Sequence, residues 1–271
     1  MIKRFTSIIG AVLCLSAPAT ADVIHVSVGA RLTHLSFLVP GKHRYLRYLV
    51  KPDGSRTLVD IWTRSLSFER APQSGERQMR IQQRWERPDG SRVIVQDSRF
   101  EAQTFRPLTH VLRIEQPDKE IVRGFRFKAR EVTGMAELAS NDRLDFKMPQ
   151  SEEHYNFEYD MELLQTLPFA AGREFNIPFY DAGIDKQPDR YDFKVAGSAH
   201  LRGPDGQIID CWLVTADYKT GKVVSRFWFA KKNQVLVREA ALDSDGVTHI
   251  KTLLPPEPQD ELDRDDGSRA P

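Results

Sequence analysis

Apolar and polar residues alternate along most of this chain. Met79, Ile81 and Trp85 oppose Arg80, Arg84 and Glu86, while Leu108, His110, Leu112 and Ile114 oppose Thr109, Arg113 and Glu115. Phe125, Phe127 and Ala129 oppose Arg126, Lys128 and Arg130; Leu144, Phe146 and Met148 oppose Arg143, Asp145 and Lys147; Tyr191, Phe193 and Val195 oppose Asp192 and Lys194. Side chains alternate across a strand, so this pattern predicts strands with one dry and one solvated face. That is the habit of antiparallel sheets, since buried parallel strands read as unbroken apolar runs.

The organising stretch is 207–242. Three runs rich in β-branched and aromatic residues (208–218, 223–230 and 235–242) are separated by the short polar links KTGK and KKNQ, which predicts an antiparallel meander. Upstream, Pro52-Asp53-Gly54 and Pro88-Asp89-Gly90 each join two β-rich runs. Proline sets φ for the first turn position and glycine accepts a positive φ, so both read as hairpins. A third copy, Pro204-Asp205-Gly206, opens the meander, and residues 22–30 read as a first half-buried strand. A sheet of about ten such strands cannot stay flat, because strand twist makes it curl. The expected filler of its concavity is a short helix over 158–166, with Asp160 as its cap, Met161, Leu164 and Leu167 on one face, and Pro168 as its stop. The fold expected is mostly β: a single strongly curved antiparallel sheet, a half-barrel or open barrel, around one short α-helix.

Residues 1–21 stand apart. Lys3 and Arg4 precede an apolar stretch over 5–17 and then Ala19-Thr20-Ala21, the arrangement of a secretory signal peptide cleaved after Ala21. The apolar stretch is shorter than the roughly 20 residues of a bilayer span, so no retained membrane span is expected. Cys211 is then the lone cysteine of the exported chain, which excludes an intramolecular disulfide and fits the bacterial periplasm. The domain expected is 22–254, followed by a disordered acidic tail over 255–271 whose six acids face Arg264 and Arg269. A net charge of +1 argues against nucleic acid as a partner.

From Tyr159 onward the order of elements resembles a family. A DMELLQTLPF helix leads into AAGREFNIPFYDAG, then a Tyr/Phe strand, CWLVTADY and FWFAKKNQVLVREA. This resembles the exported bacterial proteins of unknown function grouped as DUF3108, and more distantly the half-barrel periplasmic carrier LolA. The resemblance implies a curved sheet in the cell envelope and carries over no catalytic residue.

Motifs for chemistry are sparse. The seven histidines have no zinc-site spacing, and His154 in SEEHYNFEYD, the densest group of potential ligands, reads as a solvated loop. No G-x-S-x-G or S-x-x-K is present, and Cys211 has no neighbouring histidine, so it reads as a packed side chain. Asp181 and Asp185 have the chemistry of an acid–base pair, but in a Pro- and Gly-containing loop they read as turn formers. No cofactor or metal is expected, and the chain is not expected to be an enzyme; a hydrolase built on that aspartate pair is the weakest of the readings. The apolar face is the remaining candidate, with Trp85, Phe125, Phe127, Phe146, Phe193, Trp212 and Trp228 as its ligand-binding residues. The expected function is a periplasmic, non-enzymatic binding or carrier module for a lipid-like apolar ligand. The alternative is an envelope structural or interaction protein with a filled core and an envelope protein as partner. Arg123, Arg126, Lys128 and Arg130 suit anionic head groups or a plain solvated face.

Overall fold

The computed structural model describes residues 23–72, 74–203, 206–218 and 224–256. The expected signal peptide, most of the acidic tail, the Pro204-Asp205 turn and the KTGK link lie outside the described residues. Strand β1 (Val23–His25) comes first, and the chain then enters an uninterrupted antiparallel series. It comprises β2 (Gly41–Val50), β3 (Arg56–Arg70), β4 (Arg77–Glu86), β5 (Val93–Glu101), β6 (Pro107–Gln116), β7 (Lys119–Lys128), β8 (Glu131–Gly134) and β9 (Lys147–Pro149). After β10 (Tyr155–Asn156) comes the helix α1 (Asp160–Gln165). A second antiparallel series follows: β11 (Glu174–Tyr180), β12 (Asp189–Arg202), β13 (Ile208–Ala216), β14 (Ser225–Ala230), β15 (Leu236–Leu242) and β16 (Thr248–Leu253). Pairing of β16 with β2 joins the two series into one sheet of sixteen strands, and the meander expected over 207–242 is β13–β14–β15.

The Pro-Asp-Gly turns form as expected. Gly54 and Gly90 adopt φ of 82° and 66°, and the Asp53 and Asp89 carboxylates accept from the Ser55 and Ser91 N–H groups. Both β1 and β10 pair in parallel with β11, at residues 174–176 and 179–180, so Pro178 falls between the two ladders, where no donor is missed. Two of the expected strands differ. Only Val23–His25 of the 22–30 stretch is strand. Of the alternating 144–148 stretch, only the end is strand, because the preceding loop folds back over Gly134, whose absent side chain leaves room for the Arg143 and Leu144 carbonyls.

The sheet curls until its two ends face each other without a ladder between them among the described residues. Side chains and loops bridge the seam: Gln187 Nε2 donates to Pro149 O, and Arg143 to Gly183 O. Helix α1 lies in the concavity, with Met161 to Gln165 all buried rather than on a single face, as a helix enclosed on all sides requires. Asp160 is the first residue of the helix rather than its cap, and Asn156 caps the 3-10 turn Phe157–Tyr159 that leads into it. The Asn156 side chain accepts from Glu158 N–H, while the Tyr159 hydroxyl accepts from Asn156 N–H and donates to Phe105 O at 2.8 Å. At the other end Gln234 donates to the Gln165 and Leu167 carbonyls, and Gln165 in turn donates to Phe37 and Asn233. Those bonds tie the 231–235 turn to the interior helix.

Candidate functional site

The concave face is packed. Phe193, 0 % exposed, meets Phe179, Tyr218 and Phe227 in the main core, against which Trp85 and Trp212 also pack. Trp85 stacks on Trp62 with ring centres 5.3 Å apart, and the Lys231 ammonium lies 4.7 Å from the Trp212 ring. Phe125 and Phe127, 1 % and 7 % exposed, form a smaller cluster with Val132 and Tyr180 at the seam, and Phe146 meets Phe125 edge-on there. Trp228 requires a correction. It lies between the buried Phe227 and Phe229 of β14 and opposite Leu213 and Arg238, so period-two alternation places it on the convex face. The candidate residues therefore divide among a core, a seam and an outer face.

Several polar candidates acquire packing partners. His154 is buried between Phe127 and Tyr180, and burial pushes its pKa down to about 4, while Glu152 turns away to pair with Arg190. Cys211 is buried and its thiol is pushed up to about 11 by burial. Asp181 is raised by burial and faces Glu158 and His110, whereas the Asp185 side chain is 81 % exposed beside Arg143. The two carboxyls thus have separate surroundings. Arg123, Arg126 and Lys128 pair with Asp142, Glu137 and Glu131 of the loop and strand that follow, which leaves this face locally neutralised.

A polar network inside the sheet was not foreseen. Arg64 donates to Glu162 on α1, to Gln83 Oε1 at 2.5 Å and to the Glu158 carbonyl, and its guanidinium lies 4.8 Å from the Trp62 ring. Gln83 and Gln96 hold the Glu158 side chain, and Lys251 pairs with Glu239 while lying 4.3 Å from the Trp62 ring centre. Beside them Asp160 is raised to about 7, mainly by burial, against the opposing fields of Lys251 and Arg64. A carboxyl with a raised folded pKa stabilises the fold fully below the unfolded value, and that contribution is lost as pH rises toward 7. Asp160→Asn is therefore expected to gain stability relative to the native chain between pH 5 and pH 8, measured by urea unfolding at both; an equal difference at the two pH values would refute it. The sequence signal for this network was a set of polar residues at apolar-face parity: Asp60 and Arg64 flank Trp62, and Gln83 lies between Ile81 and Trp85.

An open groove of about 650 Å³ lies at the end of the sheet where β14 stops. β12 and β13 run on beyond it as a hairpin arm, with Leu201 paired to Ile209. Bulges at 195–197 in β12 and at Val237 in β15 add twist on either side of the short strand. The arm forms one wall, the ends of β16 and β2 the other, and Ala230, Val235 and Val237 lie between them. The lining is mostly apolar, joined by Lys42, Arg44, Arg202 and Arg238, and contains no Asp or Glu among the described residues. Arg238 sits 5.9 Å from the Trp228 ring, so the misassigned tryptophan borders this groove through its cation partner. His43 lines the groove as well; burial lowers its pKa, which favours the neutral imidazole.

These features define an open, coiled antiparallel sheet closed around a buried helix. The model of DUF3108, a protein of unknown function, matches residues 56–250, and the chain belongs to that family. Among solved structures it is similar to a beta-barrel-like protein of the domain of unknown function DUF1849 from Brucella abortus, at 14% identity and a TM-score of 0.47, over 80% of this chain and 96% of that one. It is also similar to a DUF1089 family protein from Pseudomonas aeruginosa, at 10% identity and a TM-score of 0.38, over 65% of this chain and 87% of that one. No curated protein matches the chain. Among the described residues no helix is long and apolar enough to cross a membrane.

Proposed function

We propose that the chain is an exported, non-enzymatic binding module of the cell envelope that takes an anionic amphiphile in the groove between the β12–β13 arm and the ends of β16 and β2. The observation that carries this reading is the lining: an apolar bed rimmed by four cations with no carboxylate among its described residues. A volume of about 650 Å³ falls in the range of small-molecule sites, roughly 300–1,000 Å³. An acyl-like chain on Ile209, Val235 and Val237 removes apolar surface from water, and Arg guanidinium groups suit a carboxylate or phosphate head. The packed concavity favours this location over the aromatic face, where a ligand would have to displace α1 or fully buried rings. Export is supported by the pattern of residues 1–21, and periplasmic protein whose mass begins at Asp22 is the expected product.

Titration with a fluorescent fatty acid tests the site. Saturable binding is expected, and reversing Arg202→Glu together with Arg238→Glu should weaken it about tenfold or more, a change of about 1.4 kcal/mol or above. Absence of saturable binding, or binding indifferent to that reversal, would overturn the reading.

A further inference from the structure

We propose that the groove is also the docking site of the chain's own acidic C-terminal segment, residues 257–271, which competes there with the amphiphile. The inference rests on the groove being the ligand site and adds how that site is regulated. Pro255 and Pro256 lie along the groove wall, so the segment leaves from the site itself. It carries Glu257, Asp260, Glu261, Asp263, Asp265 and Asp266 against two arginines, facing a lining with the opposite balance. At about 3.3 Å per extended residue it has a reach of about 50 Å, ample to cross the groove. Pro255 and Pro256 fix φ near about −65° where the described chain leaves the groove wall.

Tethering decides the energetics. An exposed ion pair is worth only about 0–1 kcal/mol, and a free peptide of this composition would bind such a rim weakly. A short tether supplies an effective concentration in the millimolar range, so even a millimolar intrinsic affinity populates the docked state substantially. A free amphiphile at micromolar concentration must then displace the tail, and salt weakens the tail's hold because its contacts are exposed and ionic.

The test places a nitroxide on Ser268→Cys in the exported chain, where Cys211 is buried and its raised thiol pKa keeps it unreactive. Amides of Arg202, Arg238 and Thr252 should relax faster than those of β6, and about 0.5 M NaCl should reduce the effect at least threefold. Arg202→Glu with Arg238→Glu should abolish it. Neutralising the tail through Asp260→Asn, Asp263→Asn, Asp265→Asn and Asp266→Asn should raise fatty-acid affinity about threefold or more. The proposal is overturned if groove and β6 amides relax alike, if the charge reversal changes nothing, or if mixing labelled with unlabelled chains shows the effect arising between molecules. The relaxation is read without added ligand. A groove that binds no fatty acid therefore counts against the functional reading, while a silent nitroxide counts against tail docking.

Discussion

Replacing Glu162 by Ala is expected to destabilise the fold by about 3–5 kcal/mol, the cost of leaving a buried charge without its partner. The Arg64 and Glu162 side chains are 4 % and 12 % exposed, and Arg64 comes from β3 in the sheet while Glu162 belongs to the helix inside it. With Glu162 gone, Gln83 and the Glu158 carbonyl remain as neutral acceptors, which do not offset the desolvation of a guanidinium. The paired replacement Arg64→Met with Glu162→Leu separates charge from packing. It removes both ions and keeps comparable volume, so most of the lost stability should return. Urea unfolding of the three chains checks this. A loss below about 1 kcal/mol in Glu162→Ala would mean that Arg64 finds water or another acid, and that the helix is not held by this pair.

Phe193→Ala is expected to cost a similar 3–5 kcal/mol, through a cavity at the centre of the main core. Its ring meets Phe179, Tyr218 and Phe227, and no part of it reaches solvent. In a protein of this size the melting temperature should fall on the order of 10 °C. The same variant discriminates between the two possible ligand sites. If the aromatic concavity holds the ligand, removing Phe193 changes affinity along with stability. If the groove holds it, fatty-acid affinity measured well below the melting temperature stays within about twofold, a difference under 0.5 kcal/mol. A tenfold loss in the folded variant would return the site to the concave face.

Much of the sheet could be read from period-two alternation, because a strand's side chains alternate whatever its neighbours are. The β13–β14–β15 meander and the two Pro-Asp-Gly hairpins follow from local turn chemistry in the same way. Failures came where distant chain overrode the local pattern. Residues 143–146 alternate like a strand yet form a turn packed over Gly134, and Trp228 belongs to the apolar run of β14 yet faces outward. The signal was nonetheless present, since Trp228 shares its strand face with the exposed Arg226 two residues earlier, while Phe227 and Phe229 share theirs with the buried Ser225. The interior network was partly legible, since Arg64 and Gln83 stand at positions where alternation asks for an apolar side chain. A charge at core parity needs a buried partner. That partner, Glu162, lies 98 residues away.

The sequence by itself determined that this chain makes an antiparallel sheet with one dry face and a short helix ending before Pro168, because alternation, turn residues and caps act within a few residues. Only the tertiary structure decided that the helix and aromatic rings fill the concavity, and that Arg44, Arg202 and Arg238 converge on an open groove. The reason is that curl, bulges and strand ends are properties of the whole ladder. Cations from β2, β12 and β15 meet only after β16 has paired with β2 and joined the two halves of the chain.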